Sequence, residues 1–338
     1  MDLHIVWFLL VGAILTGYVV LDGFDLGVGM LHLFTKGDVE RRLSLNSIGP
    51  VWDGNQVWLV VGGGALFAAF PEVYATAFSG FYDAFILLLI TLIFRGVAIK
   101  FRSKRPEPGW RATWDVAFSL GSLGAALLLG VAFGNIARGV PLDEQHNVTA
   151  EFLELLHPYA LLVAITAVAL LALHGAIYLV LKTEGEMQAR VRRWVQPLMI
   201  TFILSYAFTT QATLIYNPHL VEPFRTHPWF SVVPTATILT IANIPREIHH
   251  GREFMAFLFS AASIALLMAL IAIGLFPNLI YSTPHPEHSL TIYNAASTTK
   301  TLTIMLVIVG IGIPLVLTYT AAIYWVFHGK VKLDKTSY

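Results

Sequence analysis

Apolar residues along this chain come in long blocks broken by short polar stretches. The blocks run about 17–28 residues, the length a helix needs to cross a hydrocarbon core of about 30 Å. Nine segments are predicted as membrane-crossing helices: 5–32, 51–70, 78–99, 115–136, 157–181, 195–216, 229–245, 254–276 and 301–327. The segment 229–245 is the shortest and contains Pro234 and Pro245; without it the count is eight. The first block follows only Asp2 and His4, with no basic leader and no small-residue cleavage pattern, so it reads as a retained span. The connecting segments 137–156, 217–228 and 277–300 are short and rich in Pro, His, Asn and Thr. None is long enough for a catalytic domain, which confines any chemistry to the membrane or to a partner.

Basic residues orient this map, because Lys and Arg accumulate on the cytoplasmic side of membrane proteins. With the N-terminus outside, the inner segments around 36–42, 100–111, 182–193, 246–252 and 330–335 hold 17 of the 21 basic residues, ending with Lys330, Lys332 and Lys335. The outer segments hold Arg138, Arg225 and Lys300, and Arg95 falls inside a span. So uneven a split supports nine spans, N-out and C-in.

Composition narrows the class. Of 338 residues 56% are hydrophobic and 12% charged, about half the charged share of a soluble domain. The chain is an all-α polytopic membrane protein. Basic and acidic residues balance at 21 each, which gives no sign of a nucleic-acid partner. Cysteine is absent, which excludes disulfides, thiolate metal sites and iron–sulfur clusters.

Three acids interrupt the first two apolar blocks, where a carboxylate costs roughly 2.5–3.5 kcal/mol on insertion scales. Asp22 and Asp25 lie three apart in Val19-Val20-Leu21-Asp22-Gly23-Phe24-Asp25-Leu26-Gly27 and share a helix face. Gly17, Gly23, Gly27 and Gly29 keep that helix thin enough for close packing. The pair is either a proton- or ion-holding site toward the inner side or an interfacial pair bound to a neighbour for packing. Asp53 opens the second block between Trp52 and Trp58, with Asn55 and Gln56 beside it. That set supplies alternating donors and acceptors for a water chain; the competing reading is a helix-starting acid favoured by the macrodipole, among interfacial tryptophans. Arg95 either pairs with one of these acids or snorkels to the inner interface.

His174 is the only histidine deep in a span, so a bis-histidine haem site is not supplied; one-sided ligation and simple packing remain as alternatives, packing being the commoner case. The pairs His249-His250 and His285-His288 sit in loops without acids in ligand spacing. No phosphate loop, Ser/His/Asp set or metal motif is present, so no metal is expected here.

The runs Asp22-Gly23-Phe24-Asp25-Leu26-Gly27-Val28-Gly29, Arg41-Arg42 with Asn46-Ser47, and Pro50-Val51-Trp52-Asp53-Gly54-Asn55-Gln56-Val57-Trp58-Leu59 closely resemble subunit II of cytochrome bd-type quinol oxidases. Gly63-Gly64-Ala65-Leu66-Phe67-Ala68-Ala69-Phe70-Pro71, Phe94-Arg95, Arg102-Ser103-Lys104, Trp114-Asp115 and Gly130-Val131-Ala132-Phe133-Gly134-Asn135 extend the resemblance, which is dense over 16–141. Cyanide-insensitive relatives share these motifs. The resemblance implies two four-helix bundles, 1–141 and 142–276, followed by an outer loop and one peripheral helix in 277–338. It implies a non-ligating subunit II that stabilises a haem-bearing subunit I and helps carry protons from the cytoplasm. Haems b and d (b only in some relatives) and the quinol site would then belong to subunit I. Asp53 would be the main relay carboxylate, with Asn55 and Gln56 orienting water, Asp25 and Asp22 serving entry or packing, and Arg95 tuning them. Trp52, Trp58, Gly23 and Gly27 would serve packing between subunits. Subunit I, membrane lipid and a small single-helix accessory subunit are the expected partners, in a bacterial or archaeal cytoplasmic membrane. The alternative from another class is a proton- or ion-coupled transporter, although no repeat relates the halves of the chain.

Overall fold

The computed structural model describes residues 2–333; Lys335, expected on the inner side, lies outside them. Twelve α-helices carry the described residues: α1 (Leu3–Leu31), α2 (Gly37–Ile48), α3 (Trp52–Ala69), α4 (Pro71–Gly80), α5 (Tyr82–Phe101), α6 (Pro108–Arg138), α7 (Pro158–Lys182), α8 (Gly185–Tyr216), α9 (Pro218–Thr226), α10 (Val232–His249), α11 (Glu253–Leu275) and α12 (Thr299–Val326). A small antiparallel pair, β1 (Asn278–Ile280) with β2 (Leu290–Thr291), lies between α11 and α12.

Local chemistry accounts for the helix ends. Proline opens α4, α6, α7 and α9, where its missing N–H has no helical acceptor to lose. Asp2 caps α1 by accepting from His4 N at 2.9 Å. Gly139 closes α6 at φ +90°, a conformation that side chains strongly disfavour.

All nine expected segments fall on helices, and among the described residues seven helices are long and apolar enough to cross a membrane: those containing α1, α5, α6, α7, α8, α11 and α12. The second and seventh expected segments correspond to α3 and α10, 18 residues each, which are not among the seven. Polar residues explain this: α3 begins Trp52-Asp53-Gly54-Asn55-Gln56, and α10 ends with Asn243, Arg246 and Glu247. The expected gap 71–77 is helical, and the third segment begins at Tyr82 instead of 78. The chain turns at Phe70 and again at Phe81, leaving α4 as a short connector ahead of α5. Helix α8 starts at Gly185, about ten residues before the expected segment, with Pro197 inside it.

Helices α1 and α7 are the inner posts. Helix α1 packs on α3, α6, α7 and α11; α7 packs on α6, α8 and α11. They cross where neither tolerates a side chain. A Cβ on Gly27 would lie 2.0 Å from Leu171 O, and one on Gly175 would lie 2.4 Å from the Gly27 carbonyl carbon. Gly130 and Gly134 meet Ala164 and Ala160 in the same way between α6 and α7. Apolar tails of lipid compete with apolar side chains, so close backbone contact carries more of the association than it does in water. Helix α12 stands outside this core, touching α1 and α3.

Candidate functional site

Two of the three expected acids, Asp22 and Asp25, lie in the buried junction of α1, α3 and α5, each with a different partner. Arg95 of α5 embraces Asp22 of α1: Nη2 donates to Oδ1 at 2.7 Å and Nη1 to Oδ2 at 3.1 Å. Neither side chain is exposed. Of the two alternatives for Arg95, the structure shows pairing. The fork engages both oxygens of Asp22, the geometry that makes Arg–carboxylate bonds strong.

Asp25, one turn on, is equally buried and takes a neutral partner. Asn55 Nδ2 donates to Asp25 Oδ2 at 2.8 Å and to Leu21 O at 3.1 Å. The amide is held from its other end, where Tyr324 of α12 donates to Asn55 Oδ1 at 2.9 Å. Asp25 Oδ1 has no hydrogen-bond partner among the described residues. Buried polar atoms without partners are rare and concentrate where a proton or water is handled. Gln56 Oε1 and Trp52 Nε1, nearby at the start of α3, are also buried and unpartnered.

Asp53 is not brought to this group. Two residues from Asn55 on α3, it projects from the opposite, exposed side, with no hydrogen bond or ion pair among the described residues. It lines a wide groove of about 2360 Å³ that runs from α3 and α5 past α1, α4 and α6 to α9 and α11. Gln56 borders the same groove. Trp52 is buried against Gly96 of α5, and Trp58 packs on Gly17 of α1. Gly23 and Gly27 face α7 of the same chain, where Leu171 fills the space a side chain would need.

A second charged cluster, where the C-terminal ends of α1 and α5 meet α2 and the first turns of α6, was not singled out from sequence. Asp115 accepts from His32 Nε2 at 2.6 Å, from Arg41 Nη1 at 2.8 Å and from Arg102 through Nε and Nη2. Arg102 Nη2 also reaches Asp38 at 2.8 Å, and Arg111 Nη1 closes on the same carboxyl at 2.9 Å. Partial burial pushes the Asp38 carboxyl up, but the hydrogen bond and charge of Arg102, joined by the charge of Arg111, outweigh it and hold the group below its ordinary value. Each member reads alone as an ordinary inner-side charge. The signal available was that Arg41, Arg102 and Asp115 all stand in the runs that carry the resemblance, with Asp115 four residues after Arg111.

His174 is a packed histidine. Its Nε2 donates to Val20 O at 3.1 Å, so its Nδ1 accepts from the Ser260 hydroxyl at 2.7 Å. Phe257 stacks on the ring with centroids 5.0 Å apart. With both nitrogens engaged, the residue does not fit an axial haem ligand. His285 reaches Glu287 at 3.2 Å and His288 reaches Leu142 O at 3.1 Å. Among the described residues no group of three His, Asp or Glu converges as a metal set.

Comparison with known proteins extends this geometry. Residues 3–327 match the family described as cytochrome bd terminal oxidase subunit II. The chain is 38% identical to cytochrome bd-I ubiquinol oxidase subunit 2 of Escherichia coli strain K12, covering 97% of this chain and 95% of that protein. It is 35% identical to cytochrome bd ubiquinol oxidase subunit 2 of Bacillus subtilis strain 168, over 98% and 97% of the two. Its fold is similar to that in the structure of bd oxidase from Geobacillus thermodenitrificans, with a TM-score of 0.80 at 18% identity over 97% of this chain and 99% of that one.

Proposed function

The chain belongs to the cytochrome bd terminal oxidase subunit II family, and from that premise we propose that it is the non-ligating membrane subunit of a quinol:oxygen oxidoreductase, stabilising a haem-bearing subunit I and passing protons inward from the cytoplasmic side. Family membership argues against the ion-coupled transporter. The haems and the quinol belong in this reading to subunit I, in keeping with the full engagement of His174. They supply the redox chemistry, and this chain's residues supply packing and protons.

The observation that carries the proton role is Asp25, a fully buried carboxyl with one oxygen held by Asn55 and the other unpartnered. Asp22 is committed to Arg95 and orients the site. Asp53, exposed on the groove between α3 and α5, is the carboxylate turned toward the partner. An acid at membrane depth is too costly to leave against lipid, so this groove is the face that subunit I covers. Gln56 lies between the two acids' helix faces and orients water there.

Nine crossings, N-out and C-in, fit this reading. Helices α3 and α10 are short of apolar residues because they face protein or polar groups, a setting in which intramembrane polarity is tolerated. The contacts of α1 with α3 and α6, of α5 with α6, of α7 with α8 and of α10 with α11 support two bundles, with α12 peripheral. A bacterial cytoplasmic membrane, bound lipid and a small accessory helix complete the proposal.

The test is quinol oxidase turnover and proton uptake in the assembled complex. Asp25→Asn and Asp53→Asn should each lower both by about a hundredfold, the lower end of the range for a lost proton-transfer group. Unchanged rates with normal haem content in both variants would remove the proton role and leave only the packing role.

A further inference from the structure

Helix α12 is fastened at both ends and little covered between. At its outer end Trp7 Nε1 donates to Leu302 O at 3.0 Å, and Ser297, just before the helix, donates to Ala68 O at 2.7 Å. Past its inner end the chain straps across α7. Lys182 Nζ donates to Phe327 O and, at 3.0 Å, to Gly329 O, while Val331 N donates to Lys182 O at 2.8 Å. Lys330 Nζ reaches Val180 O at 3.2 Å and Glu253 Oε2 at 3.3 Å. Yet Leu302 is the only fully buried residue of the helix. Apolar burial within this chain therefore does not explain so firm an inner anchor.

One polar side chain does reach inward. Tyr324, in the last turn of α12, enters the buried group and donates to Asn55 Oδ1, across 269 positions of sequence. We propose that Tyr324 is a positioning residue for the Asp25–Asn55 pair, and that the strap of residues 327–331 across α7 serves to hold it there. The proposal rests on the reading of Asp25 as part of a proton route.

The chemistry lies in the amide. A carboxamide can turn either its oxygen or its NH2 toward a neighbour. The Leu21 carbonyl, which only accepts, and the Tyr324 hydroxyl, donating to Oδ1, together hold the rotamer that aims Nδ2 at Asp25, which favours the carboxylate; the flipped amide would offer an oxygen and favour the acid. Tyr324 thus sets the proton affinity of Asp25 without touching it. The other charged and titratable groups near Asp25 are Asp22 and Tyr18 on α1, Arg95 on α5 and Tyr178 on α7. Asp53 faces outward on α3, and Glu253 on α11 is taken by Arg192 and Lys330.

The experiment is the pH dependence of quinol oxidase turnover in the assembled complex, for the parent, Tyr324→Phe, Lys182→Met and Asp25→Asn. Tyr324→Phe should retain its haem and shift the pH profile by about one unit, the scale of one charge-assisted hydrogen bond. Lys182→Met should shift it the same way by less. A Tyr324→Phe profile that superimposes on the parent's, while Asp25→Asn alters it, overturns the positioning role alone. If Asp25→Asn leaves the profile unmoved, the proton-route reading itself has failed. Should Tyr324→Phe not assemble, fluorotyrosine incorporated at 324 keeps the shape and acidifies the hydroxyl; an unshifted profile there overturns the proposal equally.

Discussion

Buried charge makes Arg95 the most exacting residue of the site. Removing one member of a buried ion pair leaves the other unpaired, at about 3–5 kcal/mol, whereas an exposed pair is worth under about 1 kcal/mol. Arg95→Met should therefore sharply lower the temperature at which the purified complex loses its haem, and Asp22→Asn in the same chain should restore much of the loss. A small effect of the single substitution would mean that Asp22 finds another partner. The three acids were visible in the sequence because hydropathy exposes any carboxylate in an apolar block. Their different situations were not. Asp53 looked the strongest because Asn55 and Gln56 stand beside it, but on a helix two residues apart means nearly opposite faces. Asn55 therefore serves Asp25, on another helix, and Asp53 faces out.

At the scale of elements, glycine separates what packs inside the chain from what faces outward. At Gly175 a methyl group would meet the Gly27 backbone, so Gly175→Ala should cost at least the roughly 1–3 kcal/mol of an overpacked core. Gly12, in the same α1 stack but with nothing within 4 Å of its missing Cβ, is the control: Gly12→Ala should be neutral or slightly stabilising. Thermal unfolding of the purified complex distinguishes them, and equal effects would mean that the α1–α7 crossing is looser than these contacts imply. The existence of the membrane helices was legible because most are long apolar blocks, some with a proline or a capping side chain at the head. The turn at Phe81 was not, since Phe78, Phe81 and Tyr82 read as the start of the apolar run that follows.

Across the whole molecule, the face of α3 that carries Asp53, Val57 and Val60 is among those left uncovered by the same chain. Gly64 of α3 has open space around it within the chain and borders the groove with Asp53. Gly64→Leu should leave the chain inserted and folded while reducing the haem-bearing subunit that co-purifies by about tenfold, a change of about 1.4 kcal/mol. Normal recovery of that subunit would place the interface on another face. The all-helical membrane class and the family were legible in the sequence, because hydropathy and short motifs are local properties. Tertiary structure alone decided which acid is paired, which is held by an amide and which faces outward. Asp22 meets Arg95 across 73 positions and Asn55 meets Tyr324 across 269, and no local pattern reports contacts made at such separation.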